Sequence, residues 1–572
     1  MTALEEPAPR TLIDDLLAEQ QSLTAVERFS QKHERGQVPA QARYYRELIP
    51  LTKPQPGEQY AFAVDLDACT GCKACVNACH SLNGLDEDEI WRNVGVIVGG
   101  SMERPYQQTV TTACHHCAEP GCLLGCPVAA YEKDADTGIV RHLDDQCIGC
   151  QYCILKCPYD VPKYSKKRGI VRKCDMCYSR LAADEAPACV QACPSSAITI
   201  RIASEEETQA QAEPGVRLIH GAFDSSYTKP TTSYTTRKAI PANAHPGDVY
   251  RLRLEDPHWP LIWMLLLSQL SAGVFVCLAA ATLLPATVFG SIAAPLAFTG
   301  FAALQAGLVL SVFHLGKPFK AWRFFLGLRT SWMSREILLF GIFAAVSAAL
   351  TLTSCWPALV AQASRLWGGR ATSLLVEVAA AGTAAFPTGW KPALLLSVLS
   401  AVIALAAIFC SAMIYVDTRR PFWSASLTFP KFFGTTLLLG AAGSATVLSW
   451  MSVAGSAPLA LARGVCIAAL MFGVLYAAWE VLFFRHSLRD PLAPTHRSAR
   501  ATWEFLRQQL RLRAALIAAA TLAGISAVFT HHAAQAICAT AFFLLTFGSG
   551  IIERYCFFTA SDAPRMPGGI AS

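Results

Sequence analysis

Charge is what this chain has least of. Asp, Glu, Lys and Arg make up 16% of its 572 residues, against 53% hydrophobic. That balance excludes an ordinary soluble protein of this length. A clustered basic face interleaved with aromatics is also missing. The net charge is only +6 and most Lys and Arg flank apolar runs, which excludes nucleic acid as a partner. The start, MTALEEPAPRTLIDDLLAEQQ, has no basic stretch leading into an apolar one, so no secretory or twin-arginine signal is expected. Histidines do not pair at one depth within the apolar runs. His531 and His532 fall at the opposite face from His314, and His486 lies past the end of a run, so no haem is expected.

What is present divides the chain in two. Up to about Pro257 it is polar and punctuated; after Trp259 it becomes a series of long apolar runs. A soluble first half and a membrane second half follow. At the start, Leu12, Ile13, Leu16, Leu17, Leu23, Val26 and Phe29 fall at helical spacing. They predict an amphipathic helix that packs on the protein or docks on a partner subunit.

Of 22 cysteines, sixteen lie between Cys69 and Cys193 in four groups of four. The groups are Cys69, Cys72, Cys75, Cys79; Cys114, Cys117, Cys122, Cys126; Cys147, Cys150, Cys153, Cys157; and Cys174, Cys177, Cys189, Cys193. The first and third have the spacing C-x2-C-x2-C-x3-C, the run of bacterial ferredoxins that hold [4Fe-4S] clusters. Three closely spaced thiolates wrap three corners of a cubane, helped by tight turns at Thr70-Gly71 and Ile148-Gly149. The fourth comes too late for the same cluster and reaches the other one in two-cluster ferredoxins. The second group widens one gap with AEPG and the fourth inserts eleven residues, yet both end C-x3-C-P. Disulfides and zinc ribbons are the competing readings. Disulfides suit an exported chain, and zinc needs neither a third cysteine two residues on nor a fourth followed by Pro. Strands are predicted at YAFAVDLDAC, GIVRHLDDQC and AITIRI, giving the strand, turn and short helix of a ferredoxin half-unit twice over. A row of clusters relays electrons one at a time and needs a donor and an acceptor at its ends. The six remaining cysteines sit singly in apolar segments as small buried hydrophobes.

Residues 203–258 are polar, with Pro, Ser and Thr and no apolar period, and predict an extended linker or a strap over a partner. Beyond them, eight apolar segments are long enough to cross a bilayer: roughly 260–284, 287–314, 336–356, 393–416, 432–453, 459–484, 512–530 and 533–553. The stretch 371–389 is weaker and is expected to be interfacial. Basic residues divide unevenly between the two faces. Arg365, Arg370, Lys391 and Arg463 fall on one; on the face shared with the N-terminal half the loops and helix ends are studded with them, among them Arg251, Lys317, Lys320, Arg323, Arg419, Arg497 and Arg554. The positive-inside rule then puts the cluster domain and both termini in the cytoplasm. On that same face lie His314 in FHLGKP, Glu336 in SWMSREI, Asp417 in IYVDTRRPFW and, within the sixth segment, Glu480. A histidine and a carboxylate there suit the two protons a quinol loses with its two electrons; solvated helix ends are the plain alternative.

The four cysteine groups, with KCDMCYSRLA and CPSSAI, resemble the iron–sulfur electron-transfer subunit of dimethyl-sulfoxide-reductase-type molybdoenzymes. FHLGKPFKAW, SWMSREI, IYVDTRRPFW and ERYCFF resemble the eight-helix anchor subunit of the same enzymes. The chain looks like a natural fusion of the two from about residue 60. The resemblance implies a ferredoxin-like α+β domain with four [4Fe-4S] clusters joined to an all-α eight-helix bundle. It implies domains at 59–202 (clusters) and 259–556 (anchor), flanked by a helical extension at 1–58, the linker, and a tail at 557–572. It implies crossed ligand sets: Cys69, Cys72, Cys75 with Cys193; Cys174, Cys177, Cys189 with Cys79; Cys114, Cys117, Cys122 with Cys157; Cys147, Cys150, Cys153 with Cys126. Nitrate-reductase relatives carry an aromatic where this chain has Cys150, so a fourth four-iron cluster is implied. His314 and Glu336 match the anchor's quinol site, with Arg335 and Arg420 as further candidates. The implied partners are menaquinol or ubiquinol, the lipid bilayer, and a separate catalytic subunit carrying molybdenum or tungsten on two molybdopterin guanine dinucleotides. The familiar enzyme faces the periplasm, whereas the loop charges here face inward, which admits a cytoplasmic reaction such as nitrate reduction for assimilation. Two rival readings stay open: a structural anchor for a wire fed by a soluble donor, and a redox-linked proton-translocating module.

Overall fold

The computed structural model describes residues 11–21, 26–27, 30–31, 45–367 and 392–568. The expected interfacial stretch at 371–389 lies outside them, as do Leu23 and Phe29. The helix Leu12–Gln21 is present, but its apolar face packs against nothing described: Leu12, Ile13, Leu16 and Leu17 are all exposed.

The first half is a small-stranded domain. β1 (Glu58–Asp65) is followed by β2 (Asn93–Gly100), β3 (Pro105–Thr112), β4 (Tyr131–Lys133), β5 (Val140–His142), β6 (Lys163–Ser165), β7 (Ile170–Arg172), β8 (Ile198–Ser204), β9 (Ser233–Thr235) and β10 (His245–Pro246). β1 lies between β8, antiparallel, and β9, parallel; β2 lies between β3 and β10. Two hairpins, β4–β5 and β6–β7, stand next to the cysteine loops. This is the ferredoxin-like arrangement: short helices and turns carry the cysteines, and the strands brace them. The core beneath is Phe62, Val64, Ile97, Val110, Ile139, Val190 and Ile198, all fully buried or nearly so.

The segment expected as an extended linker is instead built into this domain. β9 and β10 each complete a sheet, and Thr228, Thr231 and Thr232 are buried. Sequence periodicity misses this because the contacts are made by backbone and hydroxyl groups. Gln59 Nε2 donates to the His116 carbonyl, and Thr231 Oγ1 donates to the His115 carbonyl at 2.8 Å. The tail is likewise a strap. Arg565 pairs with Asp248 at 3.0 Å and the Val96 amide donates to the Gly568 carbonyl at 3.0 Å.

Among the described residues, eight helices of the second half are long and apolar enough to cross a bilayer, making the chain a multi-pass membrane protein. They run Trp259–Leu283, Ala286–Val312, Trp332–Trp356, Pro392–Val416, Ala425–Val453, Leu459–Arg489, Arg507–Phe529 and His532–Thr559. The fifth to eighth extend past their apolar runs at the end near the cluster domain, and in the fifth and eighth the added turns carry Lys431 and Arg554, which pair with Glu553 inside the bundle. The first and fifth spans are the most enclosed. They touch at Gly273 and Gly440, where a Cβ on Gly273 would collide with the Thr436 carbonyl oxygen. Without a hydrophobic drive between helices in lipid, such backbone-to-backbone approach supplies the packing.

The loop between the second and third spans cradles the cluster domain. The Lys317 amide donates to the Ile148 carbonyl and the Gly327 amide to the Pro127 carbonyl, both at 3.0 Å. Ser331 Oγ donates to the Gly125 carbonyl at 2.8 Å. Gly316 sits directly on Gly169, whose carbonyl oxygen occupies the place a Cβ at 316 would need.

Candidate functional site

Each cysteine loop turns through left-handed backbone: Gly71 and Lys73 (φ 75 and 61), His116 (φ 41), Gly149 and Gln151 (φ 71 and 60), Met176 and Cys177 (φ 59 and 49). That curl aims amides at sulfur. The amides of Gly149, Met176, Ala130 and Ala197 donate to Sγ of Cys147, Cys174, Cys126 and Cys193 at 3.4, 3.4, 3.2 and 3.3 Å. Such amide–sulfur bonds hold negative thiolates and tune a cluster's potential.

The loops cross over. Cys75 lies in the field of Cys189 and Cys193, and Cys79 in that of Cys189 and Cys177. Cys117 and Cys122 lie in the field of Cys114 and Cys157, and Cys126 in that of Cys147, Cys150 and Cys153. Burial pushes the Cys79 thiol up to about 12 and that of Cys126 to about 11. Thiols so disposed are protonated when free and become thiolates on binding iron. Among the described residues no three His, Cys, Asp or Glu side chains are close enough to hold a single metal ion. Cysteines in C-x2-C-x2-C runs with amides aimed at their sulfurs fit a multi-iron cluster, whereas zinc needs no third cysteine two residues on. The residues present therefore fit iron–sulfur clusters.

Two buried cations stand among the sulfurs. Burial opposes the Arg92 charge, but the thiolates of Cys189, Cys75, Cys174 and Cys79 outweigh it and raise its pKa. Lys173 Nζ reaches Cys114 Sγ at 3.6 Å and donates to the Cys174 carbonyl at 2.8 Å. It thus bridges two of the sets.

Where the halves meet there is a cavity of about 410 Å³, within the ~300–1,000 Å³ usual for small-molecule sites. Cys150 and Cys157 of the cluster domain and His314 and Glu336 of the membrane half all line it. Leu261, Met264, Met333, Ile414, Trp423 and Phe558 give it an apolar body. His314 Nε2 lies 2.8 Å from the Cys150 carbonyl oxygen. A carbonyl only accepts, so Nε2 carries the hydrogen and Nδ1 is the ring's acceptor. Burial, then His258, lowers the His314 pKa to about 4, and the ring is neutral at pH 7. Arg420 also lines the cavity, its guanidinium 4.7 Å from the Trp423 ring centre and 3.3 Å from Ser561 Oγ.

Arg335 is a correction. It does not line the cavity; its guanidinium donates to the carbonyls of Leu328 and Arg329 (3.2 and 2.7 Å) and lies over Trp332. Consecutive helical residues diverge by about 100°, so with Glu336 facing in, Arg335 faces elsewhere. Asp417 is a clamp between the halves, taking Lys156 at 2.6 Å. Glu480 pairs with Arg513 within a buried network in which Lys431 donates to Glu553 at 2.6 Å and Arg554 contacts Glu553 and Gln269. Sequence reading missed His258 and Glu255, which line the cavity from the stretch before the first span. Their signal was three titratable residues, Glu255, Asp256 and His258 in LEDPHW, against the start of an apolar run.

Comparison with known proteins follows the same division. Residues 106–202 match the model of a 4Fe-4S dicluster domain, and 255–375 match that of the DMSO reductase anchor subunit (DmsC). The first half is similar to the B subunit of the anaerobic dimethyl sulfoxide reductase of Haemophilus influenzae, 37% identical over 161 residues, 27% of this chain and 78% of that protein. It is similar to the corresponding subunit of Escherichia coli K12, 38% identical over 148 residues, 24% of this chain and 72% of that one. The formate dehydrogenase-O iron-sulfur subunit of the same organism is 35% identical over 158 residues, 25% of this chain and 52% of that subunit.

Proposed function

Since this chain belongs to the family of the iron–sulfur subunits of dimethyl-sulfoxide-reductase-type enzymes, with their membrane anchor domain in the same polypeptide, we propose that it oxidises membrane quinol and delivers the electrons to a separate catalytic subunit. The observation that carries this reading is the 2.8 Å contact between His314 Nε2 and the Cys150 carbonyl, at the wall of a cavity open to an apolar ligand. It ties the expected proton acceptor to the backbone of an expected cluster ligand.

Four clusters are held, in the four crossed cysteine sets, with Cys69, Cys72, Cys75 and Cys193 forming the set most exposed to solvent. Bound there, the clusters supply one-electron relay. The chain's own residues do the rest. Apolar side chains, including Leu261, Met264 and Met333, receive the quinol ring. His314 Nδ1 takes one hydroxyl proton and the buried Glu336 carboxylate the other. Arg420 offers a donor to the developing quinone oxygen. The partner is a molybdenum or tungsten subunit, and substrate choice, nitrate included, rests with it. The excess of Lys and Arg on the cluster-domain face argues for a cytoplasmic-membrane protein with that domain inside.

The test is anaerobic. A reduced quinol analogue is added to the purified complex, and cluster reduction is followed by electron paramagnetic resonance in wild type and His314→Ala. Reduction in wild type and its loss in the variant are expected. If only a soluble reductant works, the membrane half is a structural anchor and the site assignment falls.

A further inference from the structure

Quinol oxidation breaks two O–H bonds and releases two protons with two electrons; one goes to Glu336, and the one taken by His314 needs a way out. His314 cannot pass a proton through its ring by the usual route, because Nε2–H is held by the Cys150 carbonyl. A proton that arrives at Nδ1 must also leave from Nδ1. The next titratable ring along the cavity is His258, whose plane stands at 87° to that of His314 with centroids 5.5 Å apart. Three residues earlier comes Glu255, on the same wall, its amide fixed to the Thr559 carbonyl at 2.9 Å.

We propose that His258 and Glu255 form the proton exit of the quinol site, carrying protons from His314 to water on the cluster-domain face. The inference rests on the quinol reading and adds to it the route and its direction. His258 acts through His314 and positions the proton's next step; it does not take it from the quinol.

The surroundings suit a relay. His258 faces His314 from the loop after the second span, the Phe558 ring from the eighth, Arg420 from the loop after the fourth, and Asp256 from its own segment. Burial, with Arg420, keeps its pKa below the ordinary histidine value despite Asp256. It is therefore neutral and able to accept at pH 7, and releases readily. Glu255 faces Arg420, Arg565 of the tail, and Asp160 and Lys163 of the cluster domain. Burial raises its pKa above the ordinary glutamate value, against the lowering pull of Arg420, Arg565 and Lys163. The same cavity is lined by the charged Asp160, Lys163, Arg253 and Arg565, and the two arginines are partly open to solvent.

The experiment uses the intact complex, with a water-soluble quinol analogue as donor, and His258→Ala, His258→Gln and Glu255→Gln variants. Binding of a redox-inert quinol analogue is measured in parallel by tryptophan fluorescence. Wild type should reduce its clusters at a rate nearly flat between about pH 6 and 8. In both His258 variants the rate should fall by about ten- to a hundredfold at pH 7, rise with pH as hydroxide substitutes for the ring, and recover in His258→Ala with added imidazole. Glu255→Gln should show the same pH slope in weaker form. Analogue affinity should stay within about twofold of wild type, since the ring does not grip the quinol. Unchanged rates, or a loss equal at every pH and deaf to imidazole, overturn the relay. If wild type itself draws no electrons from quinol, the quinol reading falls and the relay with it; wild-type activity with unaltered variants sinks the relay alone.

Discussion

Glu553→Gln is the perturbation with the largest expected effect on stability. Glu553 is 3% exposed and sits between Lys431, at 2.6 Å, and Arg554, which is wholly buried. Arg554 also donates to Gln269 Oε1 at 3.0 Å and to the Lys431 carbonyl at 3.2 Å. Neutralising the carboxylate leaves two cations facing one another in the bundle, with the Glu480–Arg513 pair already internally balanced. Removing one member of a buried ion pair costs about 3–5 kcal/mol, because the surviving charge is stranded. At about 2 °C per kcal/mol for a domain this large, the apparent melting temperature should drop by roughly 6–10 °C. The assay is thermal unfolding in detergent at fixed scan rate, read by tryptophan fluorescence. Lys431→Met in the same background removes one stranded charge, so the double variant should be less damaged than the two single losses added together. A drop under about 1 °C in Glu553→Gln, or a double variant fully additive, would refute the argument that the carboxylate holds these cations.

Gly316→Ala drives a methyl into the Gly169 carbonyl; overpacking of this kind costs about 1–3 kcal/mol, and quinol-driven cluster reduction should fall while reduction by dithionite stays intact. Lys173→Met removes the cation bridging two cysteine sets, so redox titration should find at least one cluster harder to reduce, on the order of 100 mV for a charge about 7 Å away at an effective dielectric of about 20. Asp417→Asn leaves Lys156 without its carboxylate at the join of the two halves, and limited proteolysis of the junction should quicken. Arg335→Ala should leave the quinol-driven rate within about twofold of wild type, in contrast to Arg420→Ala, because only the latter side chain lines the cavity.

The two-part architecture could be read from residue order without any coordinates. Cysteine spacing is a local constraint: three ligands within seven residues must wrap one cage, whatever surrounds them. Hydropathy is nearly as local, since in lipid each helix satisfies its own backbone, so all eight spans were legible, with errors only where charged turns continue a helix. His314 and Glu336 were singled out by their flanking motifs, and both line the cavity where the halves meet. Other features came only with the folded arrangement. β9, β10 and the tail join the cluster domain through backbone pairing and hydroxyls, which leave no apolar period to read. Arg335 and Arg420 both sit beside other site candidates in sequence, and only helix phase and the fold of the following turn send one away and the other in. His258 comes beside His314 because the first two spans pack as a hairpin, and Glu553 is paired with Lys431 across 122 residues of chain. Contacts made between distant segments are set by how the helices pack, and that geometry is written in no single stretch of the chain.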